Sequence, residues 1–465
     1  LNLRFLSLFG RALGVSAIAA VCVSGPASAE NMSGALARAY STNPDINQQR
    51  AAVRARDEGV PTAKAGWLPK ASGTVSVGRQ YSEAVNVLGI PGTEKYRGYP
   101  RGSSAQVTQT LFDGMRTVNN VSQAESAVLQ ARESMRQTEV TTLQAGATAY
   151  MDVLRDTAVV GLRMNNIQVL EVQLQQTRDR FQVGEVTRTD VAQAESSLAT
   201  GKADYAVAQS ALETSVANYR RQIGVAPKQL QPAQPIEKLL ASSLDGAIQI
   251  GIEENPSILG ALHQVDAAQS AVKVAEGALL PTASVQGQVL QQNDVSGYPN
   301  YNQWNASIVG QISVPFYQGG AEYAAVRQAK ETLGQARLAV DSQRIAVRAA
   351  VATAWGRLQA ARASIVAFQA AVKAAEVALN GVREEAKVGQ RTTLDVLNAQ
   401  QTLLNTRVQL VTAQRDRVVA SYDVMAAEGR LTAEGLGLGV VAYNPNIHYD
   451  QTKNRFIGLD TPDGR

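Results

Sequence analysis

The chain is short of the residues that most catalytic and metal-binding sites use. Its 465 residues include one cysteine, Cys22, and two histidines, His263 and His448, far apart in sequence. One thiol cannot close an internal disulfide, and two isolated histidines without ligand spacing give no zinc-type site. No GxxxxGK[ST] phosphate loop occurs, so any ATP that drives this protein's work is consumed by a partner. The GLGLG run at 435–439 lacks the preceding strand and following helix of a dinucleotide site and is expected to be a flexible exit from the last helix. Carboxylate pairs such as Glu253-Glu254 and Glu384-Glu385 fall on helical surfaces, where solvation is the expected state. No catalytic, cofactor-binding or metal-binding residue is assigned, and an enzyme is not expected.

Large side chains are also scarce. Aromatics make up 5% of the chain and charged residues 18%, while Ala, Gln and Val dominate. Such a composition fills thin, closely packed helical layers better than a thick hydrophobic centre. Beyond the N-terminal region no stretch of eighteen uninterrupted apolar residues occurs, so no transmembrane helix is predicted. Residues 1–29 have the pattern of a secretory leader: Arg4 and Arg11, an apolar run from Ala12 to Val23, and the small-residue cleavage pattern Ala27-Ser28-Ala29. The mature chain is then expected to begin at Glu30 without Cys22, a composition suited to an oxidising compartment. Losing two arginines moves the net charge from 44−40 to 42−40, or +2, which is no nucleic-acid footprint.

What the sequence does have is a tandem repeat. FQVGEVTRTDV at 181–191 returns as AKVGQRTTLDV at 386–396. NPDI at 43–46 returns as NPSI at 255–258, GWLP at 66–69 as ALLP at 278–281, and LFDG at 111–114 is answered by PFYQGG at 315–320. Each half runs as helix, Leu-Pro, strand, turn-rich loop, strand, very long helix, VG phrase and return helix. The halves are assigned to 30–224 and 244–435, with a Pro-rich linker at 225–243 and a tail at 436–465.

The helical segments keep a seven-residue period. Val351, Leu358, Ile365, Val372 and Leu379 form one seam, and Val153, Val160, Ile167 and Leu174 its counterpart. The return segments do the same through Val191, Leu198, Tyr205, Leu212 and Tyr219, and through Leu397, Leu404, Val411, Val418 and Met425. This spacing predicts coiled-coil packing with a left-handed supercoil. Between each helix pair, Gly184 and Gly389 are expected to stop one helix in the left-handed conformation. Thr187 and Thr392 cap the next, and Asp190 and Asp395 complete capping-box-like pairs. At ~1.5 Å per residue the long helices would reach roughly 105 Å and the return helix ~54 Å. The segment from Gly34 to Trp67 adds ~50 Å, so two short helices end to end match one long one.

Strands are expected near 70–82, 103–112, 282–293 and 304–315, each about the ~9–11 residues of a membrane-spanning β-strand. Tyr81, Tyr96, Tyr99, Tyr298, Tyr301 and Trp304 lie where an aromatic girdle belongs. Four strands cannot close a membrane barrel, whose smallest forms have about eight, so several protomers must contribute. A periplasmic coiled-coil scaffold or adaptor with soluble hairpins is the different-class alternative.

FQVGEVTRTDVAQAES, VGQRTTLDVLNAQQTLLNT and ISVPFYQGG resemble the TolC outer-membrane efflux and secretion family, over about residues 31 to 435. The resemblance implies a mainly α protein with a small β part. It implies a homotrimer whose long antiparallel helices form an α-barrel continuous with a twelve-stranded β-barrel in outer-membrane lipid, extending into the periplasm. The LP and VPF elements would sit where barrel meets tunnel, although Thr110-Leu111-Phe112 lacks the proline found at 315. The hairpin tips, with Val183, Gly184, Thr187, Val388, Gly389 and Thr392, would meet a periplasmic adaptor. That adaptor would lead to an inner-membrane transporter, in the secretion reading an ABC ATPase. Asp395 matches a pore-constricting acidic position, beside its simpler role as a capping residue. The next pore-facing position, often acidic, is Asn398 here. Arg391 matches a residue that latches the mouth shut, with Thr189 and Asp190 as partners, but the Tyr that often joins them is replaced by Ala386. The tail NPNIHYDQTKNRFIGLDTPDGR looks like those of members assigned to type I protein secretion, which is the expected route. Small-molecule or drug efflux is the runner-up.

Overall fold

The computed structural model describes residues 30–85, 92–294 and 301–462; the expected leader and Tyr298 lie outside them. The first repeat comprises α1 (Met32–Thr42), α2 (Pro44–Asp57), α3 (Gly59–Lys64), β1 (Lys70–Val77), β2 (Gln80–Val85), β3 (Thr93–Gly98), β4 (Arg101–Phe112), α4 (Arg116–Gln182) and α5 (Arg188–Ile223). The second comprises α6 (Leu244–Glu254), α7 (Pro256–Gly277), β5 (Thr282–Asn293), β6 (Asn302–Ser313), α8 (Ala321–Lys387) and α9 (Thr393–Ala427). A last helix, α10 (Pro445–Thr452), follows.

The two long helices, α4 and α8, have 67 residues each, or about 100 Å. Each folds back on its return helix, α4 on α5 and α8 on α9. The heptad seam is the buried one: Val351 and Leu358 are fully buried, with Leu379, Ala354 and Ala361 close behind. Small alanines at alternate seam positions let the helix axes approach closely. Those alanines also raise the hydropathy of α8, so that it is long and apolar enough by length and composition to cross a membrane. Here it packs along α9 instead.

The wall columns are jointed. Sequence spacing suggested one helix from Gly34 to Trp67, but the chain breaks at Asn43-Pro44 and, in the second repeat, at Asn255-Pro256. Proline lacks an amide hydrogen and disfavours a helical residue before it, and both asparagines are extended, with ψ of 128° and 124°. Each Asn caps the new helix, accepting from Asp45 N at 2.8 Å and Ser257 N at 2.9 Å. Each also donates from Nδ2 to the end of the return helix: Asn43 to the Gln222 carbonyl at 3.0 Å, Asn255 to the Ala427 carbonyl at 2.9 Å. Thus α2 continues the line of α5, and α7 that of α9.

The displaced helix α1, the linker and the post-α9 segment form a second layer over this joint. Its largest core gathers Leu36, Tyr150, Tyr219, Ile223, Met425 and Leu431. The Tyr150 hydroxyl donates to the Glu30 and Gln231 carbonyls at 2.8 and 2.7 Å, tying the linker to α4. Glu237 clamps the linker to α8 and α9 through Arg362 at 3.0 Å and Arg417 at 2.9 Å. The Arg417 hydrogen bond, joined by Arg362, outweighs the cost of burial and holds its carboxyl down at about 2. The GLGLG run is not a loose exit: Leu438 is buried, and its amide donates to the Ala433 carbonyl at 2.9 Å. Apolar neighbours at Leu431 and Ala433 draw it into the core.

One buried charge stands out. Glu428 ends α9 at the register that Ile223 holds at the end of α5, each directly before a left-handed glycine, Gly224 or Gly429. Both side chains are fully buried. Neither Glu428 carboxylate oxygen has a short hydrogen-bond partner, and the Arg430 guanidinium lies 3.8 Å away. Burial pushes the Glu428 carboxyl up to about 7, with Arg430 pulling it back.

Candidate functional site

The sheet order is β1-β4-β5-β6, antiparallel throughout. The register sorts its side chains into two faces. One carries Ala71, Gly73, Val75 and Val77 on β1, Ala105 and Val107 on β4, Val285, Gly287 and Val289 on β5, and Ala306, Ile308 and Ile312 on β6. The other carries Ser72, Thr74 and Ser76, then Gln106, Thr108 and Thr110, then Ser284, Gln286 and Gln288, then Ser307 and Gln311. Ser103, Gln109 and Gln291 interrupt the first face and Leu290 and Val309 the second, but across four strands the partial alternation becomes a mainly apolar and a mainly polar face, the pattern of a barrel wall between lipid and water. Val75 and Ile308 on the apolar face are 80% and 83% exposed, so nothing among the described residues covers them.

Both outer strands, β1 and β6, have an unpaired edge. In lipid such edges are excluded because backbone groups there find no water. Beyond β1 and β4, β2 and β3 pair as a separate ribbon, extending the first hairpin past its expected end. Exposed Tyr81, Tyr99, Tyr301 and Trp304 mark that end of the sheet, as expected; the structure adds exposed Leu111, Phe112, Phe316 and Tyr317 at the helical end. Two aromatic and apolar belts thus bracket the strands. At the helical end Gln109 Nε2 donates to the Trp67 carbonyl at 2.8 Å, joining sheet to helix.

At the opposite end are the tips. Gly184 and Gly389 have φ of 80° and 79°. No neighbour would crowd a Cβ at either, so conformation alone selects glycine there. Each closes a Schellman turn: Glu185 N donates to the Arg180 carbonyl and Gln390 N to the Glu385 carbonyl, both at 2.9 Å. The capping boxes form fully. Asp190 Oδ2 accepts from Thr187 N at 2.8 Å and Thr187 Oγ1 at 2.7 Å; Asp395 Oδ2 accepts from Thr392 N at 3.0 Å and Thr392 Oγ1 at 2.9 Å. The Thr392 backbone amide, its hydroxyl and nearby Arg391 hold the Asp395 carboxyl below the usual range, so it stays ionised at neutral pH. Asn398 lies exposed one turn further along α9. Val183 and Val388 are 72% and 71% exposed, one bare apolar side chain per tip.

Within one chain Arg391 does not meet Thr189 or Asp190. It pairs with Glu385 at 2.9 Å, and Glu384 pairs with Lys387 at 2.7 Å. The first tip has the reverse polarity, with Arg180 on the long helix bonded to Glu185 in the turn at 2.9 Å. Glu385 was missed as a site residue, although its register matches Arg180 and would have suggested a turn-closing ion pair. Among the described residues no group of three or more His, Cys, Asp or Glu side chains could hold a metal.

A two-faced sheet with open edges, set on roughly hundred-ångström helical hairpins, defines one protomer's share of a membrane pore with a helical extension. The pattern of the family described as outer membrane efflux protein matches residues 35–225 and 247–430, and the chain belongs to that family. It is 42% identical over 436 residues to the outer membrane efflux protein BepC of Brucella suis, covering 94% of this chain and 93% of BepC. It is 27% identical to the outer membrane protein TolC of Escherichia coli, over 88% and 84% of the two chains. It is 24% identical to the alkaline protease secretion protein AprF of Pseudomonas aeruginosa, over 79% and 76%. Among solved structures, the Campylobacter jejuni CmeC outer membrane channel shares the fold with a TM-score of 0.73 at 17% identity, over 91% of this chain and 89% of that one. The chain is an outer-membrane channel protein of the TolC type, and the soluble scaffold alternative is set aside.

Proposed function

We propose that three copies of this chain close one twelve-stranded barrel and one helical tunnel, and that this conduit completes a tripartite exporter. The carrying observation is the sheet, which pairs an apolar face with a polar face and leaves both edges open. A second support is α8, whose Leu338, Ile345, Val366 and Val377 are 67–71% exposed along a helix already seated on α9. A neighbouring protomer would cover that seam. The tips, with Val183, Gly184 and Thr187 beside Val388, Gly389 and Thr392, are the proposed docking surface for a periplasmic adaptor. An inner-membrane transporter behind it supplies the energy. Asp395 is the proposed charge at the constriction, next to neutral Asn398. Arg391, released from Glu385, is the proposed latch toward Thr189 and Asp190 of an adjacent hairpin.

For cargo, small-molecule efflux is the first reading, supported by the name of the 42% identical relative. Type I protein secretion through an ABC ATPase is the second, supported by the tail's sequence and by the 24% identical AprF.

The purified protein, extracted in detergent, is expected to run as a trimer and give stepwise ion conductance in planar bilayers. A folded monomer that needs no detergent and passes no current would overturn the proposal. Complementing a channel-deleted strain and measuring drug tolerance alongside exported protein separates the two cargo readings.

A further inference from the structure

The post-α9 tail has a feature that export through a central pore does not use. Beyond α10 the chain presents Phe456, Ile457 and Leu459 at 46%, 92% and 100% exposure, around Gly458 with φ of 117°. Three neighbouring apolar side chains held in water are costly unless something covers them.

Their height is fixed by two independent sets of contacts. Along α2 and α3, His448 Nδ1 meets buried Asp57 Oδ2 at 2.9 Å, and further up Lys64 Nζ donates to the Lys453 carbonyl and Asn454 Oδ1, both at 3.0 Å. Along α4, Arg132 donates to Asn446 Oδ1 at 2.8 Å, and the Tyr449 hydroxyl faces Glu125 at 3.5 Å. In each case a later tail residue meets a wall residue closer to the sheet. Lys64 ends α3 just before Trp67 and the start of β1 at Lys70, and Gly66 packs on Thr117 in the first turn of α4. The tail therefore climbs, and past Asn454 residues 456–459 follow on the side of Lys64 that leads to the sheet, where Leu111, Phe112, Phe316 and Tyr317 form the belt.

The side follows from the proposed trimer. The chain from Leu431 to Val440 packs in the same layer as α1 and the linker, and three such layers inside a tunnel would fill it. The tail stands outside.

We propose that Phe456, Ile457 and Leu459 form an apolar foot that dips into the periplasmic leaflet of the outer membrane beside the barrel. Its occupant is phospholipid, because the tail climbs toward the lower membrane belt and Ile457 and Leu459 are left bare by the described residues of this chain. Shallow insertion of a few apolar side chains suffices to fix a tail at an interface. The proposal rests on the reading that the sheet spans the membrane.

The lone cysteine lies in the expected leader, so a cysteine introduced at Ile457 can be labelled selectively. Ile457→Cys carrying an environment-sensitive fluorophore is reconstituted as the full channel in phosphatidylethanolamine and phosphatidylglycerol vesicles with nitroxide-labelled lipid. Val75→Cys on the apolar sheet face serves as the lipid reference and Val183→Cys at the tip as the aqueous one. Leu459→Cys repeats the measurement at a second foot position. Quenching of both tail labels to the extent seen at Val75 is expected. Unquenched tail labels with a quenched Val75 overturn the foot alone. Blue-shifted but unquenched tail labels mean that protein covers the segment, and also overturn it. An unquenched Val75 overturns the membrane reading itself.

Discussion

The two repeats share a backbone plan and differ in a few side chains, and those differences separate frame from function. Both tips close with the same Schellman turn and capping box, and both joints use Asn-Pro. Yet α1, the linker and the post-α9 segment build the largest core against α4, whereas α6 builds a smaller one against α8, which keeps a row of more exposed apolar residues. The ion pair at the tip is inverted between repeats, Arg180 with Glu185 against Glu385 with Arg391. At the joint, the first repeat buries Ile223 where the second buries Glu428. The frame is shared; the first half carries the larger core, and the second leaves more apolar surface bare.

Swapping joint residues between repeats is the strongest way to break this comparison. Ile223→Glu places an unpaired carboxylate in the largest core and is expected to cost more than about 4 kcal/mol, abolishing folded channel. Heat-resistant trimer on unheated gels measures it, and a normal yield would mean that the joint tolerates charge. Removing the charge from the second joint sharpens the comparison. The folded-state pKa of Glu428, about 7, lies above the unfolded value, so the folded state binds the extra proton. Its stabilising effect is complete below about pH 4.5 and is lost as pH rises through 7. Glu428→Gln is therefore expected to raise stability at pH 8 by up to about 3 kcal/mol per protomer, with the gain vanishing toward pH 4.5. Denaturant midpoints at both values test this, and a pH-independent gain would refute the buried-charge account. The smallest effect is at the tips. Asp395→Asn is expected to reduce cation preference in single-channel recordings more than Asp190→Asn does. Both should leave stability nearly unchanged, because Asn also accepts from a capped backbone. Equal selectivity changes would remove the constriction role from Asp395.

Local signals were legible in the sequence wherever the physics is local. A left-handed glycine, a Thr three residues before an Asp and a seven-residue period each specify a structure within a few turns, and all of them formed. The two-faced sheet was legible only weakly, because the split emerges from register across strands. The break at Asn43-Pro44 was visible as a repeat but not as a joint, since its Nδ2 bond reaches Gln222 through the tertiary fold. The docking of His448 on Asp57 and the burial of Glu428 lie beyond any pattern of spacing, being contacts between distant segments. Arg391 was read by resemblance, and the single chain gives it a nearer partner in Glu385.

The asparagine joints have a mechanical consequence. A column made of one unbroken helix transmits a bend along its whole length, whereas a column of two stacked helices concentrates it at the splice. Here each splice is bridged by one side-chain amide to one carbonyl, while the helix alongside runs through uninterrupted. Each splice is therefore the point at which its own column bends most easily, and the unbroken helix beside it limits how far.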